Sequence, residues 1–162
     1  MAERIVRRVV IAGGGTAGWC AAAALGKLLG PLLDITLVES EEIGTIGVGE
    51  STVPTAKAFL HLLGIDEREF MSDNRATFKL GIQFEDWARL GDRYIHSFGT
   101  LGRGVWMADF HHFWMEARAR SLAGELGDYC LELKAAEAHK FDKPEQVPVN
   151  YAYHLDASLY AR

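Results

Sequence analysis

The sequence predicts an α/β fold built on a pair of parallel strands, and three observations carry that prediction. A β-branched run, Arg8 to Ala12 (RVVIA), ends at Gly13-Gly14-Gly15. An alanine- and leucine-rich stretch, Thr16 to Leu29, follows at once, and a second β-branched run, Asp34 to Glu39 (DITLVE), ends in an acid. Short apolar runs without strict alternation read as strands buried on both faces, the habit of parallel sheets. Alanine and leucine favour helix, and Gly30-Pro31 ends the pattern. Strand, glycine turn, helix and strand make one βαβ unit, with a right-handed crossover expected.

The remaining elements follow in order. Residues 40 to 54 form a long connection containing Gly44, Gly47 and Gly49, and connections of that length are usually functional or disordered. Thr55 to Leu63 and Asp66 to Ser72 read as short helices parted by Gly64, with Asp66 placed to cap the second and Glu69 three residues on. Thr77 to Trp87 alternates in part and reads as one strand, and Tyr94 to Phe98 reads as another after a Gly91-Asp92 turn. Asp109 to Leu122 and Asp128 to Lys140 read as helices interrupted at Gly124 and Gly127. Phe141 to Val149 reads as a polar loop, and Leu155 begins a further helix. A doubly wound sheet needs more than two parallel strands, and no later segment reads as a third. The expectation is therefore an incomplete parallel sheet with added helices and a small β-hairpin, exposing apolar faces of its sheet.

Composition removes several functional classes. Apolar residues make up 49% and charged residues 24%, the profile of a folded globular chain rather than a disordered one. No apolar run is long enough to span a bilayer, and the first ten residues lack the pattern of a secretion signal. The net charge of −5 argues against nucleic acid as the main partner. Cys20 and Cys130 form no C-x-x-C pair, so the expected setting is reducing and cytoplasmic.

The most specific motif is Gly13-x-Gly15-x-x-Gly18, which follows a predicted strand and opens a predicted helix. Gly13 permits the tight turn, Gly15 allows close approach of a diphosphate, and Gly18 allows the helix to pack on the strand. Helix-start amides and the positive end of the helix dipole favour the anion. Glu39 can accept hydrogen bonds from ribose hydroxyls and repels a 2′-phosphate, so FAD or NAD is favoured over NADP. The glycines of Gly47-Val48-Gly49-Glu50-Ser51-Thr52-Val53-Pro54 suggest backbone passing close to a flat ligand. The competing reading is a loop that caps the next helix through Ser51 or Thr52. Lys79, between Phe78 and Leu80, has the ordinary reading of an exposed or edge-strand lysine. His111, His112 and Glu116 share one helix but supply too few ligands for a metal, and their aromatic neighbours read as packing.

Taken together, these residues resemble the flavin-dependent tryptophan/indole halogenases, on an FAD-binding Rossmann-like (FAD monooxygenase-like) fold. Gly13-Gly14-Gly15-Thr16-Ala17-Gly18-Trp19 looks like that family's form of the dinucleotide turn. Residues 47 to 54 (GVGESTVP) are similar to its flavin loop, and 77 to 84 (TFKLGIQF) to the segment bearing its active-site lysine, which falls on Lys79. Residues 151 to 156 (YAYHLD) resemble a stretch preceding its adenine-side strand.

The resemblance implies FAD held by Gly13, Gly14, Gly15, Thr16, Ala17, Gly18, Glu39, Gly47, Val48, Gly49, Glu50, Ser51 and Thr52, with Lys79 catalytic. It implies reduced FAD supplied by a separate flavin reductase, a halide ion oxidised with O2 to hypohalous acid, and a small aromatic substrate such as indole or tryptophan. Neither nucleic acid nor membrane is expected as a partner. The family's W-x-W-x-I-P segment, catalytic glutamate and halide loop correspond to positions beyond residue 162. Residues 1–162 are thus expected to be the N-terminal part of a single FAD-binding halogenase domain, inactive alone. The alternatives are another FAD-dependent monooxygenase or oxidoreductase of the same fold, or an inactive FAD-binding remnant.

Overall fold

The computed structural model describes residues 5–43 and 51–160. Its residues divide into two units, the first comprising 1–77 and 153–162 and the second 78–152. Among the described residues no helix is long and apolar enough to cross a membrane.

The first unit opens with the expected βαβ element. Strand β1 (Arg8–Ala12) pairs in parallel with β2 (Asp34–Val38), Arg8 opposite Asp34 and Ala12 opposite Val38. Helix α1 (Thr16–Leu29) connects them. Its boundaries are those predicted, but Glu39 lies one residue past the end of β2. The strands were expected to be buried on both faces, and here they are not. Val9, Ile11, Ile35 and Leu37 form a half-buried face, while Val10 and Val38 on the other are 68% and 54% exposed. The β-branched composition serves a two-sided sheet, and among the described residues only one side is covered.

Helix α2 (Thr55–Leu63) ends at Gly64, whose φ of 75° is the left-handed conformation that glycine adopts without strain. Helix α3 (Glu67–Asp73) starts where Asp66 predicted, the Asp66 carboxyl accepting the amides of Arg68 and Glu69 at 2.9 and 3.2 Å. Phe70 on α3 meets Tyr153 and Tyr160 edge-on at 5.1 and 5.8 Å. Leu60, Phe70, Tyr153 and Leu155 are buried in this unit, and Tyr160 is half-buried. The Tyr153 hydroxyl donates to Glu67 at 2.8 Å, so its polar end is satisfied inside the core. Tyr160, in the short helix α6 (Ala157–Tyr160), takes a contact from the Cys20 thiol at 3.7 Å. Burial, then this neighbour, pushes its hydroxyl to titrate above the usual tyrosine range.

The run 77–87 was expected to be one strand, and it is two. Strand β3 (Thr77–Lys79) pairs with β6 (Ala152–His154), and β4 (Gly81–Glu85) pairs antiparallel with β5 (Arg93–Ser97). The chain changes ladder partner at Leu80, whose carbonyl accepts the Phe98 amide at 2.9 Å. Strand β6 was not expected at all. Three residues are too few to show a period.

In the second unit the β4–β5 hairpin closes near the predicted turn, with Asp86 accepting the Gly91 amide at 2.6 Å. Helix α4 (Phe110–Ala119) is shorter than predicted at its C-terminal end. The helix expected over 128–140 is instead a 3-10 turn, Leu126–Tyr129, followed by α5 (Leu131–Glu137). Cys130 between them is extended, at φ −120° and ψ 112°, and this separates the two. Residues 141–149 form a loop, but Phe141 is not a polar surface residue. It stacks on Phe78 at 3.7 Å, and Tyr151 meets both rings edge-on.

Candidate functional site

The glycine turn between β1 and α1 is set by backbone geometry. Gly13 has φ 120°, a conformation that L side chains rarely adopt, and its amide donates to the Val38 carbonyl at 2.8 Å. A Cβ on Gly18 would run into the Gly13 carbonyl oxygen, so only glycine lets α1 leave the turn at this distance. A Cβ on Gly14 would overlap the Glu39 side chain. The fold thus brings Glu39 directly over the turn despite 24 intervening residues between them. Among the described residues, a Cβ on Gly15 would meet nothing within 4 Å.

This arrangement suits an anion. Gly15 caps α1 without a side-chain hydrogen bond, the first helical turn carries no acidic residue, and Trp19 makes the first bond back to Gly15, at 3.1 Å. The amides of Thr16, Ala17 and Gly18 are therefore the orphan donors of the helix start. They face the positive end of a 14-residue helix dipole. Open space at Gly15, orphan amides and a carboxyl group over Gly14 fit the diphosphate and ribose of a dinucleotide.

Of the predicted flavin loop, Gly47, Val48, Gly49 and Glu50 lie outside the described residues. Ser51 and Thr52 are described. Ser51 forms an antiparallel bridge with His154, and the Thr52 amide donates to Tyr153 at 2.8 Å. The Tyr153 amide in turn donates to the Thr52 hydroxyl at 3.0 Å. The competing reading, a helix cap, is not what these residues do. The cap position of α2 is Pro54, with no side-chain hydrogen bond, and the Thr52 hydroxyl is spent on β6.

Lys79 lies in the second unit's portion of β3 and is only 7% exposed. The edge-strand reading therefore does not hold. Its ammonium sits over the Phe98 ring, 5.5 Å from the centroid. On one side along the chain Phe78 joins the Phe141–Tyr151 aromatic cluster, and on the other Leu80 is buried. Desolvation by this surrounding lowers the lysine from its usual pKa of 10.5.

Several residues of this unit were not found by sequence reasoning. Phe98, beneath the Lys79 ammonium, and Cys130, Glu132 and Asn150 come from segments far apart in the chain, and no local pattern marks them. Cys130 and Glu132 are 1% and 4% exposed. The expected separation of the two thiols holds, and both are free. Among the described residues no three metal-binding side chains converge. Glu116 instead pairs with Arg120, and His111 lies ring to ring with His112 at 3.8 Å.

A sequence profile described as tryptophan halogenase matches residues 8–162. The tryptophan 7-halogenase RebH of Lentzea aerocolonigenes is 35% identical over 96% of this chain and 33% of its own length. A flavin-dependent halogenase from Xanthomonas campestris, of known structure, is 61% identical with a TM-score of 0.90, over 98% of this chain and 32% of its own. BrvH, a flavin-dependent halogenase from Brevundimonas sp. BAL3, is 42% identical with a TM-score of 0.83, over 96% of this chain and 32% of its own. The chain thus spans about a third of the length of the relatives it matches.

Proposed function

The chain belongs to the tryptophan halogenase family, and from that premise we propose that it carries the dinucleotide turn and the halogenating lysine of a flavin-dependent halogenase. The substrate class is a small electron-rich arene such as tryptophan or indole, in the reducing cytoplasmic setting that two free thiols suit. The observation that carries this reading is the burial of Lys79. A lysine at 7% exposure in a strand is a costly arrangement, and costly ionisable groups concentrate where they are used.

Bound reduced FAD, delivered by a separate flavin reductase, supplies with O2 the two-electron oxidation of halide to hypohalous acid. The chain's own residues do the rest. The amides of Thr16, Ala17 and Gly18 hold the diphosphate, with Gly13, Gly14 and Gly15 allowing its approach. Glu39 accepts the ribose hydroxyls and excludes a 2′-phosphate. Gly47, Val48, Gly49, Glu50, Ser51 and Thr52 would serve the flavin ring, and of these Ser51 and Thr52 are anchored through His154 and Tyr153.

Lys79 directs the electrophilic halogen onto the arene. Two routes are open to it. As a neutral amine it attacks hypohalous acid, forming an N–halogen bond and releasing hydroxide. As an ammonium it donates a hydrogen bond to hypohalous acid and polarises the oxygen–halogen bond. An ordinary lysine is neutral in only about one molecule in 2,500 at pH 7. Desolvation raises that fraction and also makes the ammonium a stronger donor, so burial assists both. The enclosure further limits escape of the oxidant into water.

The test is Lys79→Ala in the whole protein, assayed with flavin reductase, halide and indole. Loss of halogenated product with flavin binding retained is the expected result, and undiminished halogenation would overturn the reading. Lys79→Arg separates the routes, because arginine keeps charge and donors but cannot act as the amine.

A further inference from the structure

Glu132 is a buried carboxyl group that the halogenation scheme leaves without a task. A first-turn glutamate is ordinarily explained by solvent exposure and the helix dipole, but this one is 4% exposed and turned to other work. One of its oxygens, Oε1, accepts the Asn150 amide at 2.9 Å. The other, Oε2, lies 3.9 Å from the Cys130 thiol, which donates to the Ser97 hydroxyl at 3.3 Å. The same hydroxyl accepts the Gly99 amide at 3.0 Å, and a Cβ on Gly99 would overlap the Glu132 carboxyl.

Each end of this chain of contacts meets a segment that forms the surroundings of Lys79. At one end, residues 97–99 carry Phe98, the ring beneath the Lys79 ammonium. At the other, Asn150 leads through Tyr151 into β6, the ladder partner of β3. We propose that Glu132 is the positioning residue for Lys79, its carboxyl group bracing the Phe98 segment and the approach to β6 at once. The role of Glu132 in halogenation rests on the reading of Lys79 given above, whereas the bracing does not.

The experiment follows the lysine rather than the activity. The full chain is treated briefly with acetic anhydride at fixed pH, and acetylation of Lys79 is measured by peptide mass spectrometry against exposed Lys27 as internal standard. Loss of a buried, geometrically strong hydrogen bond in Glu132→Ala is expected to raise the relative rate at Lys79 about tenfold. In Glu132→Gln the amide oxygen still accepts the Asn150 N–H, and the rate is expected to stay within about threefold of the parent. An unchanged rate in the alanine variant, or equal acceleration in both, would overturn the proposal.

Should Glu132→Ala lose its far-UV circular dichroism, Gly99→Ala decides. Its methyl group presses on the carboxyl from the opposite side, and it must accelerate Lys79 without accelerating Lys27. A flat response there overturns the proposal too. Because no turnover is measured, a fully active Lys79→Ala would remove the functional reading and leave this result standing.

Discussion

The glycine turn and the Lys79 surroundings solve opposite problems. The turn is assembled from 32 consecutive residues, Arg8 to Glu39, and works through backbone amides and through side chains that are missing. The lysine is buried on a strand whose neighbours come from segments near 98, 141 and 151, and works through side chains that the fold brings together. One region is open and local, the other closed and non-local. An anion site needs only donors aimed at space, whereas a perturbed amine needs water removed, and one stretch of chain does not enclose a side chain by itself.

That contrast can be broken by mutation. The largest effect is expected from Lys79→Ala, with halogenation falling about a hundredfold or more, the scale of a lost positioned acid or base, while FAD affinity stays near that of the parent. Gly18→Ala comes next. Its methyl meets backbone that cannot swing away, so unfolding measurements should show a loss of about 1–3 kcal/mol, with weaker FAD binding as a consequence.

Gly15→Ala sharpens the point. Its Cβ meets no atom of the described residues within 4 Å, so stability should stay within about 1 kcal/mol, while FAD titration shows weakened binding because the methyl occupies the ligand's space. If Gly15→Ala binds FAD normally, the turn does not hold the diphosphate as described. Asp66→Ala, which touches neither region, should cost about 1 kcal/mol from the lost cap and change neither FAD affinity nor halogenation.

A pH series tests the closed region alone. The folded pKa of Lys79 lies below 10.5, so folding disfavours its protonated form. The cost is present in full below the folded pKa and fades as pH rises towards the unfolded value. Titration of the Lys79 amine in the folded chain, by the pH dependence of its acetylation, should therefore give a midpoint below the ordinary lysine value of 10.5. A midpoint at the ordinary lysine value would mean that the enclosure admits water.

The same contrast explains what the sequence made legible. The β1–α1–β2 unit, its glycine turn and Glu39 could be read because each follows from residues adjacent in the chain. The caps at Asp66 and Gly64 could be read for the same reason. The break at Leu80, strand β6 and the extended residue Cys130 could not, because each depends on a partner distant in sequence. Lys79 shows the limit most clearly. Position alone favoured an exposed strand residue, and only the resemblance pointed to a catalytic one. Phe98 beneath its ammonium, and Glu132 and Asn150 elsewhere in the same unit, carried no signal at all.

The change of partner at Leu80 constrains how this stretch of gene can vary. Residues 77–79 are registered against one ladder and 81–85 against another, with a single residue between them. Side chains alternate faces with period two, so inserting or deleting one codon here would turn one half of the run over relative to the other. Either Lys79 would leave its enclosure or the hairpin would present its opposite face. The segment is therefore constrained in length as well as at Lys79, and a reading-frame-preserving indel between codons 77 and 85 should be far more damaging than any single substitution at Leu80.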